Sequence, residues 1–131
     1  MRALDTNVLV RFMVDDDPHQ SSKAERVLVE SHVSREHLFI SLPALCELVW
    51  VLRSGLNQSK ENIVSVLQSL VNDDLFRIES EREVISALES YRQGKADFAD
   101  YLIGQLARKA GCRDTVTFDR ALKGSPGFTV L

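Results

Sequence analysis

The chain has 131 residues, a length typical of one domain with a single buried core. Its 44% hydrophobic and 27% charged residues are ordinary for a globular protein, and no apolar run approaches the roughly 20 residues of a membrane helix. We therefore expect no membrane association and no signal peptide. Cys46 and Cys112 lack the spacing of a metal site, so we expect a reduced protein in the cytoplasm.

The formal net charge of −3 is mildly unfavourable for nucleic-acid binding, but the charge is unevenly distributed. From Tyr101 to the last residue, five basic side chains oppose two acidic ones, a net charge of +3. The basic residues are Arg108, Lys109, Arg113, Arg120 and Lys123. This segment is compatible with a phosphodiester substrate. Alone it is a weak signal, because Lys and Arg also occur at helix ends, where they compensate the helix dipole.

The first informative stretch is Leu4-Asp5-Thr6-Asn7-Val8-Leu9. It predicts the end of a short buried strand at Leu4 and a helix from about Thr6 to Val14. Asp5 interrupts the apolar run where the strand gives way to the helix, and ligands gather at this edge of open α/β sheets. Because a carboxylate among apolar neighbours is costly unless it is compensated, Asp5 is the first candidate site residue.

Asp15-Asp16-Asp17-Pro18 predicts the end of this helix and the start of the next. A metal loop is one reading of the three aspartates. We favour a solvated turn, with Asp17 as the N-cap and Pro18 at the first position of a helix that ends at about Ser31. Leu38-Phe39-Ile40 then predicts a short buried strand.

Ser41-Leu42-Pro43 predicts the start of a third helix, and Glu47 is the only polar residue in its apolar stretch. A glutamate in the middle of a buried helix pairs with a cation or costs on the order of several kcal/mol. A structural ion pair, for instance with Arg53, is one explanation. We favour a role in a functional site, because Asp5 supplies a partner for a shared metal ion.

The rest of the chain continues the alternation. Ser59 predicts the cap of a fourth helix, and Ser80-Glu81-Arg82-Glu83 is a capping-box signature that opens a fifth. A sixth helix is predicted from about Asp97 to Ala110, before Gly111. Further strands are predicted at residues 75–78, 115–117 and 128–131.

Strands that alternate with helices, without repeats or linkers, predict a single α/β domain over residues 1–131. A mostly parallel sheet is expected between layers of helices. Helical spacing places Ile85 on the inward face of the fifth helix and Ile103 on that of the sixth.

The remaining candidate acids come late in the chain. Asp119 directly follows a predicted strand, as Asp5 does, so both are expected at the carboxyl edge of the sheet. Asp97 and Asp100 share one face of the first turn of the sixth helix. For Asp97 a capping role is equally good, whereas the apolar neighbours of Asp100 favour a half-buried functional position. Acids without His or Cys select a hard cation, Mg²⁺ or Mn²⁺ rather than Zn²⁺.

Four segments resemble the motifs of the PIN-domain family and occur in the family's order. They are Leu4-Asp5-Thr6-Asn7-Val8-Leu9, Ile40-Ser41-Leu42-Pro43-Ala44-Leu45-Cys46-Glu47-Leu48, Asp97-Phe98-Ala99-Asp100-Tyr101-Leu102-Ile103-Gly104 and Thr117-Phe118-Asp119. Each is weak alone, but four in order are specific, and together they cover essentially the whole chain. The resemblance implies a PIN-like three-layer α/β/α sandwich around a mostly parallel twisted sheet of about five strands. A single domain of this size most resembles the toxin of a VapBC-type toxin–antitoxin pair.

The resemblance also implies an activity and a site. The catalytic and metal-binding acids would be Asp5, Glu47, Asp100 and Asp119, supported by Thr6, Asn7, Asp97 and Thr117. The implied enzyme is an endoribonuclease that uses Mg²⁺ (or Mn²⁺) and a metal-activated water to leave 5′-phosphate and 3′-hydroxyl ends. The implied partners are an RNA substrate, a cognate antitoxin and a second copy of the chain in a homodimer.

Two alternatives belong to other functional classes. The first is a PIN fold that has no catalytic activity and only binds a partner. The second is a metal-dependent phosphatase of the haloacid-dehalogenase type, which also begins with an aspartate at a strand end. That class requires a second aspartate two residues later, where this chain has Asn7. Metal-dependent cleavage of RNA would distinguish the nuclease from the binding module.

Overall fold

Strands and helices alternate along the chain as predicted, and the fold belongs to the α/β class. The computed structural model describes residues 1–14 and 17–131, so the first two aspartates of Asp15-Asp16-Asp17-Pro18 lie outside the described residues. The chain divides into two compact units, Met1–Glu79 and Ser80–Leu131, each with its own parallel strands. The single-domain organisation stays a prediction.

The N-terminal unit is built around a three-stranded parallel sheet. Its elements are β1 (Arg2–Ala3), α1 (Thr6–Met13), α2 (Pro18–Ser34), β2 (Leu38–Ile40), α3 (Leu42–Trp50), a π-helical turn (Val51–Gly55), α4 (Lys60–Asn72) and β3 (Phe76–Ile78). The strand order is β1-β2-β3, with Leu38 opposite Arg2 on one side and Phe76 on the other. Parallel neighbours cannot be joined by a hairpin, so helices fill each crossover.

The helices of this unit begin at the predicted caps. The side chain of Asp17 accepts a hydrogen bond from the backbone N–H of Gln20, as an N-cap does. Ser41 and Ser59 cap α3 and α4 in the same way. These short polar side chains satisfy backbone donors that have no partner inside the helix, which fixes where each helix starts.

The core of the N-terminal unit is aliphatic. The side chains that are at most 1% exposed are Leu9, Leu38, Ile40, Leu45, Leu48, Ile63, Leu67 and Leu70. Full burial of each contributes about 1.5–3 kcal/mol relative to exposure. These residues are spaced along helix faces rather than in long runs, and no helix in the described part of the chain could span a membrane.

The burial predicted for the first strand is wrong. Arg2 and Ala3 of β1 are both exposed, and burial begins only at Leu4, which is 6% exposed. The physical reason is that β1 has two residues, an arginine and an alanine, so it contributes no large apolar side chain to the core.

The C-terminal unit packs two helices with a two-stranded parallel sheet. Its elements are α5 (Glu81–Gln93), α6 (Phe98–Lys109), β4 (Thr115–Thr117), a 3₁₀ turn (Arg120–Leu122) and β5 (Phe128–Val130). The ring of Phe98 is fully buried and meets that of Tyr91 edge-to-face, with centroids 6.1 Å apart. Gly104 of α6 lies against Phe128 of β5, where an added Cβ would come within 2.5 Å of the ring. Glycine is therefore required for this close approach.

Two features of this unit differ from prediction. Ser80 has left-handed backbone angles (φ 50°, ψ 48°) and makes no side-chain cap, so the predicted capping box is wrong. Its hydroxyl accepts a hydrogen bond from Nζ of Lys109 at 3.2 Å instead. Ile85 and Ile103 are 47% and 54% exposed, so their inward placement is wrong too. Each follows a buried residue by one position, and one helical step turns a side chain by about 100°.

Candidate functional site

Asp5 lies at the junction of β1 and α1 and serves as the N-cap of that helix. Its backbone is extended, and its Oδ1 accepts a hydrogen bond from the N–H of Thr6 at 2.8 Å. The side chain is exposed. The carboxylate thus lies at the positive end of the helix dipole. Oδ2 receives no hydrogen bond from a described residue, so it remains available to a ligand.

Thr6 connects this corner to Glu47. The hydroxyl of Thr6 donates a hydrogen bond to Oε2 of Glu47 at 2.7 Å. Thr6 is only 5% exposed, so its hydroxyl is held in a fixed position between the two carboxylates. Asn7 follows on the exposed side of α1.

The surroundings of Glu47 differ from prediction. Glu47 is exposed, although its neighbours in α3 are mostly apolar. The buried residues of α3 are Ala44, Leu45, Leu48 and Val49. These residues lie on one face of the helix, and Glu47 lies on the other face. The helical period of 3.6 residues per turn places them on different sides. Burial therefore does not force Glu47 to have a charged partner.

Asp97 and Asp100 form a capping box at the start of α6. Asp97 is the N-cap, and its backbone N–H donates to Oδ2 of Asp100 at 3.1 Å. Asp100 is half-buried, as predicted, whereas Asp97 is exposed. Both carboxylates stand at the start of a helix of 12 residues, at the positive end of its dipole.

Thr117 and Asp119 form a third local arrangement. Asp119 comes two residues after β4 and caps the 3₁₀ turn, since its Oδ1 accepts a hydrogen bond from the N–H of Ala121 at 2.9 Å. The N–H of Asp119 donates to Oγ1 of Thr117 at 3.0 Å. Thr117 therefore fixes the backbone from which Asp119 projects. The other oxygen of Asp119 receives no hydrogen bond from a described residue.

Tyr101 is a positioning residue that the sequence analysis missed. It is buried, and its hydroxyl accepts a hydrogen bond from the N–H of Ala96 at 3.3 Å. This bond ties the segment just before Asp97 to the first turn of α6. The available signal was the tyrosine directly after Asp100, because a buried tyrosine hydroxyl usually has a partner.

The structure thus brings the predicted residues together in three local groups. These are Asp5–Thr6–Glu47 in the N-terminal unit, and Asp97–Asp100 and Thr117–Asp119 in the C-terminal unit. The predicted acids offer only oxygen ligands, which fits a hard cation in chemical terms. Within residues 1–14 and 17–131, no three His, Cys, Asp or Glu side chains are arranged to hold a metal ion. The metal site stays a prediction.

Comparison with known proteins gives the family. The PIN-domain model matches residues 2–124. The chain is also 30% identical over 123 residues to a protein named VapC ribonuclease from Aquifex aeolicus (strain VF5). That alignment covers 94% of this chain and 90% of the relative. The matched region contains every predicted site residue, from Asp5 to Asp119. The chain belongs to the PIN-domain family.

Proposed function

We propose that the protein is a Mg²⁺- or Mn²⁺-dependent endoribonuclease and the toxin of a type II toxin–antitoxin pair. The observation that carries this proposal is the local setting of the four predicted acids. Asp5, Asp100 and Asp119 each accept a hydrogen bond from a backbone N–H at the start of a helix or turn. Glu47 accepts one from a hydroxyl on a neighbouring helix. The alignment with a protein named VapC ribonuclease supports the choice of RNA as substrate.

In this mechanism Asp5, Asp100 and Asp119 would hold the ion. A bound divalent ion would supply an acidic water and stabilise charge on the phosphate oxygens. Glu47, oriented by the hydroxyl of Thr6, positions the attacking water and accepts its proton. The water oxygen bonds to phosphorus while the bond to O3′ breaks, and O3′ takes a proton from solvent. The products carry 5′-phosphate and 3′-hydroxyl ends.

The proposed partners follow from the same assignment. A cognate antitoxin binds the protein and places a basic side chain against the acids, where a guanidinium forms strong hydrogen bonds with carboxylates. The toxin is a homodimer that acts in the cytoplasm. Co-expression with the antitoxin should restore growth that the toxin alone inhibits.

The test is the substitution Asp100→Asn, which keeps the shape of the side chain and removes one charge. We expect loss of Mg²⁺-dependent RNA cleavage and of growth inhibition, with an unchanged circular dichroism spectrum. Asp74→Asn is the matched control, because Asp74 is exposed and lies outside the predicted site. Sequencing of the product ends would check the cleavage chemistry. A folded Asp100→Asn protein that cleaves RNA fully would contradict the assignment. Failure of the wild type to cleave would favour the binding-module alternative.

A further inference from the structure

The C-terminal unit carries three adjoining depressions on its surface. The largest has a volume of about 600 Å³ and lies beside α6 and β5. It shares Gln105 and Arg108 with a second depression of about 320 Å³. It shares Phe128 with a third depression of about 290 Å³. Neighbouring depressions have lining residues in common, so the three adjoin one another, and we refer to them together as a groove.

The groove is strongly basic. Six of its lining side chains are cations: Arg82, Arg108, Lys109, Arg113, Arg120 and Lys123. We call this surface the basic groove. Its two acids already have partners, since Glu83 lies 3.6 Å from Lys109 and Asp114 lies 3.8 Å from Arg113. The other four cations form no ion pair with any residue that the structure describes, so the groove presents a net positive surface.

Compensation of helix dipoles explains only part of this charge. Arg108 and Lys109 lie in the last turn of α6, where cations are favourable. Arg82 lies in the first turn of α5, beside Glu81 and Glu83. Arg120 opens a 3₁₀ turn of three residues, which is too short to have an appreciable dipole. The helix dipole therefore accounts for Arg108 and Lys109 but not for the other cations of the groove.

One end of the groove lies next to a predicted catalytic acid, whereas its other end lies at the far end of α6 from a second one. Arg120 directly follows Asp119 in the sequence. Arg108 is two turns after Asp100 in α6, about 12 Å along the helix axis at 1.5 Å per residue. The ring of Phe128 and the side chain of Gln105 add a flat apolar surface and an amide. Cations beside an aromatic ring are typical of surfaces that bind single-stranded nucleic acid.

We propose that the basic groove binds the backbone of single-stranded RNA that flanks the cleaved bond. This inference rests on the proposed function, because it takes RNA as the substrate. Arg108, Arg113 and Lys123 contact phosphates, and the groove holds the strand while the acids act on a neighbouring phosphate. Contacts of this kind contribute affinity without sequence preference.

The test measures RNA binding without cleavage. A fluorescein-labelled oligoribonucleotide of about 12 nucleotides, within the range of single-stranded binding sites, is titrated with the full-length protein in EDTA. We expect Arg108→Ala/Arg113→Ala to weaken binding about tenfold, and to lower the slope of log Kd against log salt by about 0.7 for each lost phosphate contact. Lys123→Ala, at the other end of the groove, should weaken binding independently.

Arg92→Ala is the matched control. It removes one positive charge from the same unit, as Lys123→Ala does, but Arg92 pairs with Glu89 and does not line the groove. Loss of affinity in the groove variants with retention in Arg92→Ala supports the proposal. Equal losses in all variants would reduce the effect to net charge and overturn it. Folded groove variants that bind RNA as tightly as the wild type would also overturn the proposal. That result is expected if the groove binds an acidic protein segment and not RNA.

The outcome for the groove is separable from that for the proposed function. Binding is measured without metal, so a protein that binds RNA through the groove but never cleaves it would uphold the groove and refute the nuclease. If the wild type does cleave, the groove variants should raise KM for a long RNA and leave kcat within about twofold, because they remove binding that is equal in ground and transition states. A fall in kcat at unchanged KM would overturn the inference.

Discussion

Thr6 contacts one carboxylate beside it in the sequence and another 41 residues away. Its N–H holds Asp5 and its hydroxyl holds Glu47, while the residue itself is buried. A buried hydroxyl has few alternative rotamers, so its hydrogen bond orients the carboxylate of Glu47 relative to α1. At the scale of single residues, Thr6 therefore determines the geometry of this half of the predicted site.

The substitution Thr6→Val tests this role. Valine has the same shape but cannot donate a hydrogen bond, so we expect a loss of about 1 kcal/mol in the free energy of unfolding. If the proposed nuclease activity holds, kcat should fall by about 10-fold with little change in KM, since Glu47 is no longer oriented. Thr6→Ser retains the hydroxyl and should recover most of the activity. Urea denaturation and steady-state cleavage measure the two effects, and a fully active Thr6→Val protein would remove Thr6 from the mechanism.

Cys46 gives a prediction about pH. Burial raises the pKa of the Cys46 thiol above its ordinary value of 9.0. The unfolded chain therefore loses this proton more easily than the folded protein. The neutral thiol of Cys46 therefore makes its full contribution to stability below the ordinary pKa. This contribution declines as the pH rises from the pKa of the unfolded chain to that of the folded protein.

Urea midpoints measured from about pH 8 to about pH 10, which spans the ordinary thiol range, would check this effect. The midpoint of the wild type should decrease more than that of Cys46→Ala, because the variant has no thiol to ionise. Cys112→Ala is the control, since Cys112 is exposed, and it should behave as the wild type does. Identical pH profiles for Cys46→Ala and the wild type would contradict the prediction.

At the scale of elements, sequence patterns predicted the strands and most helix starts. Caps such as Asp17, Ser41 and Ser59 are local, because each side chain bonds a backbone group three residues away. The start of α5 was predicted at the observed position, but the capping box from which it was predicted does not form. Ser80 adopts a left-handed conformation and bonds Lys109, 29 residues away, so a tertiary contact overrides the local signature.

Contact between α6 and β5 depends on Gly104. Alanine is a better helix former than glycine by about 1 kcal/mol, but its Cβ would overlap the Phe128 ring. Overpacking of this kind costs about 1–3 kcal/mol, so we expect a net loss of about 1 kcal/mol in Gly104→Ala. A double-mutant cycle with Phe128→Leu, followed by urea denaturation, separates the two effects. The double variant should recover stability relative to the sum of the single changes. Additive changes would show that the ring is not the cause.

At the scale of the whole molecule, the sequence predicted the α/β class and about five mostly parallel strands, because strands alternate with helices along the chain. The prediction was a single sheet, whereas the described strands pair in one sheet of three and one of two. The sequence did not predict the division into two compact units, since this depends on the density of contacts between distant segments. Asp5, Asp100 and Asp119 were found because each follows a strand or opens a helix, and Glu47 was found because it is the only polar residue in its apolar stretch. The sequence did not predict that Glu47 is exposed, because nearly every position around it is apolar and the buried face of α3 cannot be identified from the pattern.

Charge is also divided between the two units. Residues 1–79 have 12 acidic and 8 basic side chains, whereas residues 80–131 have 7 and 8. The N-terminal unit therefore has an excess of negative charge, while the C-terminal unit is close to neutral and contains the basic groove. A divalent cation bound by the predicted acids should consequently stabilise the folded protein, because it reduces the repulsion between carboxylates.

Thermal unfolding with and without metal tests this effect independently of catalysis. An ion that binds only the folded state at about 100 times its Kd adds about 2.7 kcal/mol, which raises the Tm by several degrees for a protein of this size. We expect this increase for the wild type and for Asp74→Asn in Mg²⁺ or Mn²⁺, and its reversal by EDTA. Asp5→Asn/Asp100→Asn should show little increase, because two of the proposed ligands have lost their charge. An equal increase in the double variant would place the ion elsewhere, and no increase in any protein at saturating metal would refute metal binding by these acids.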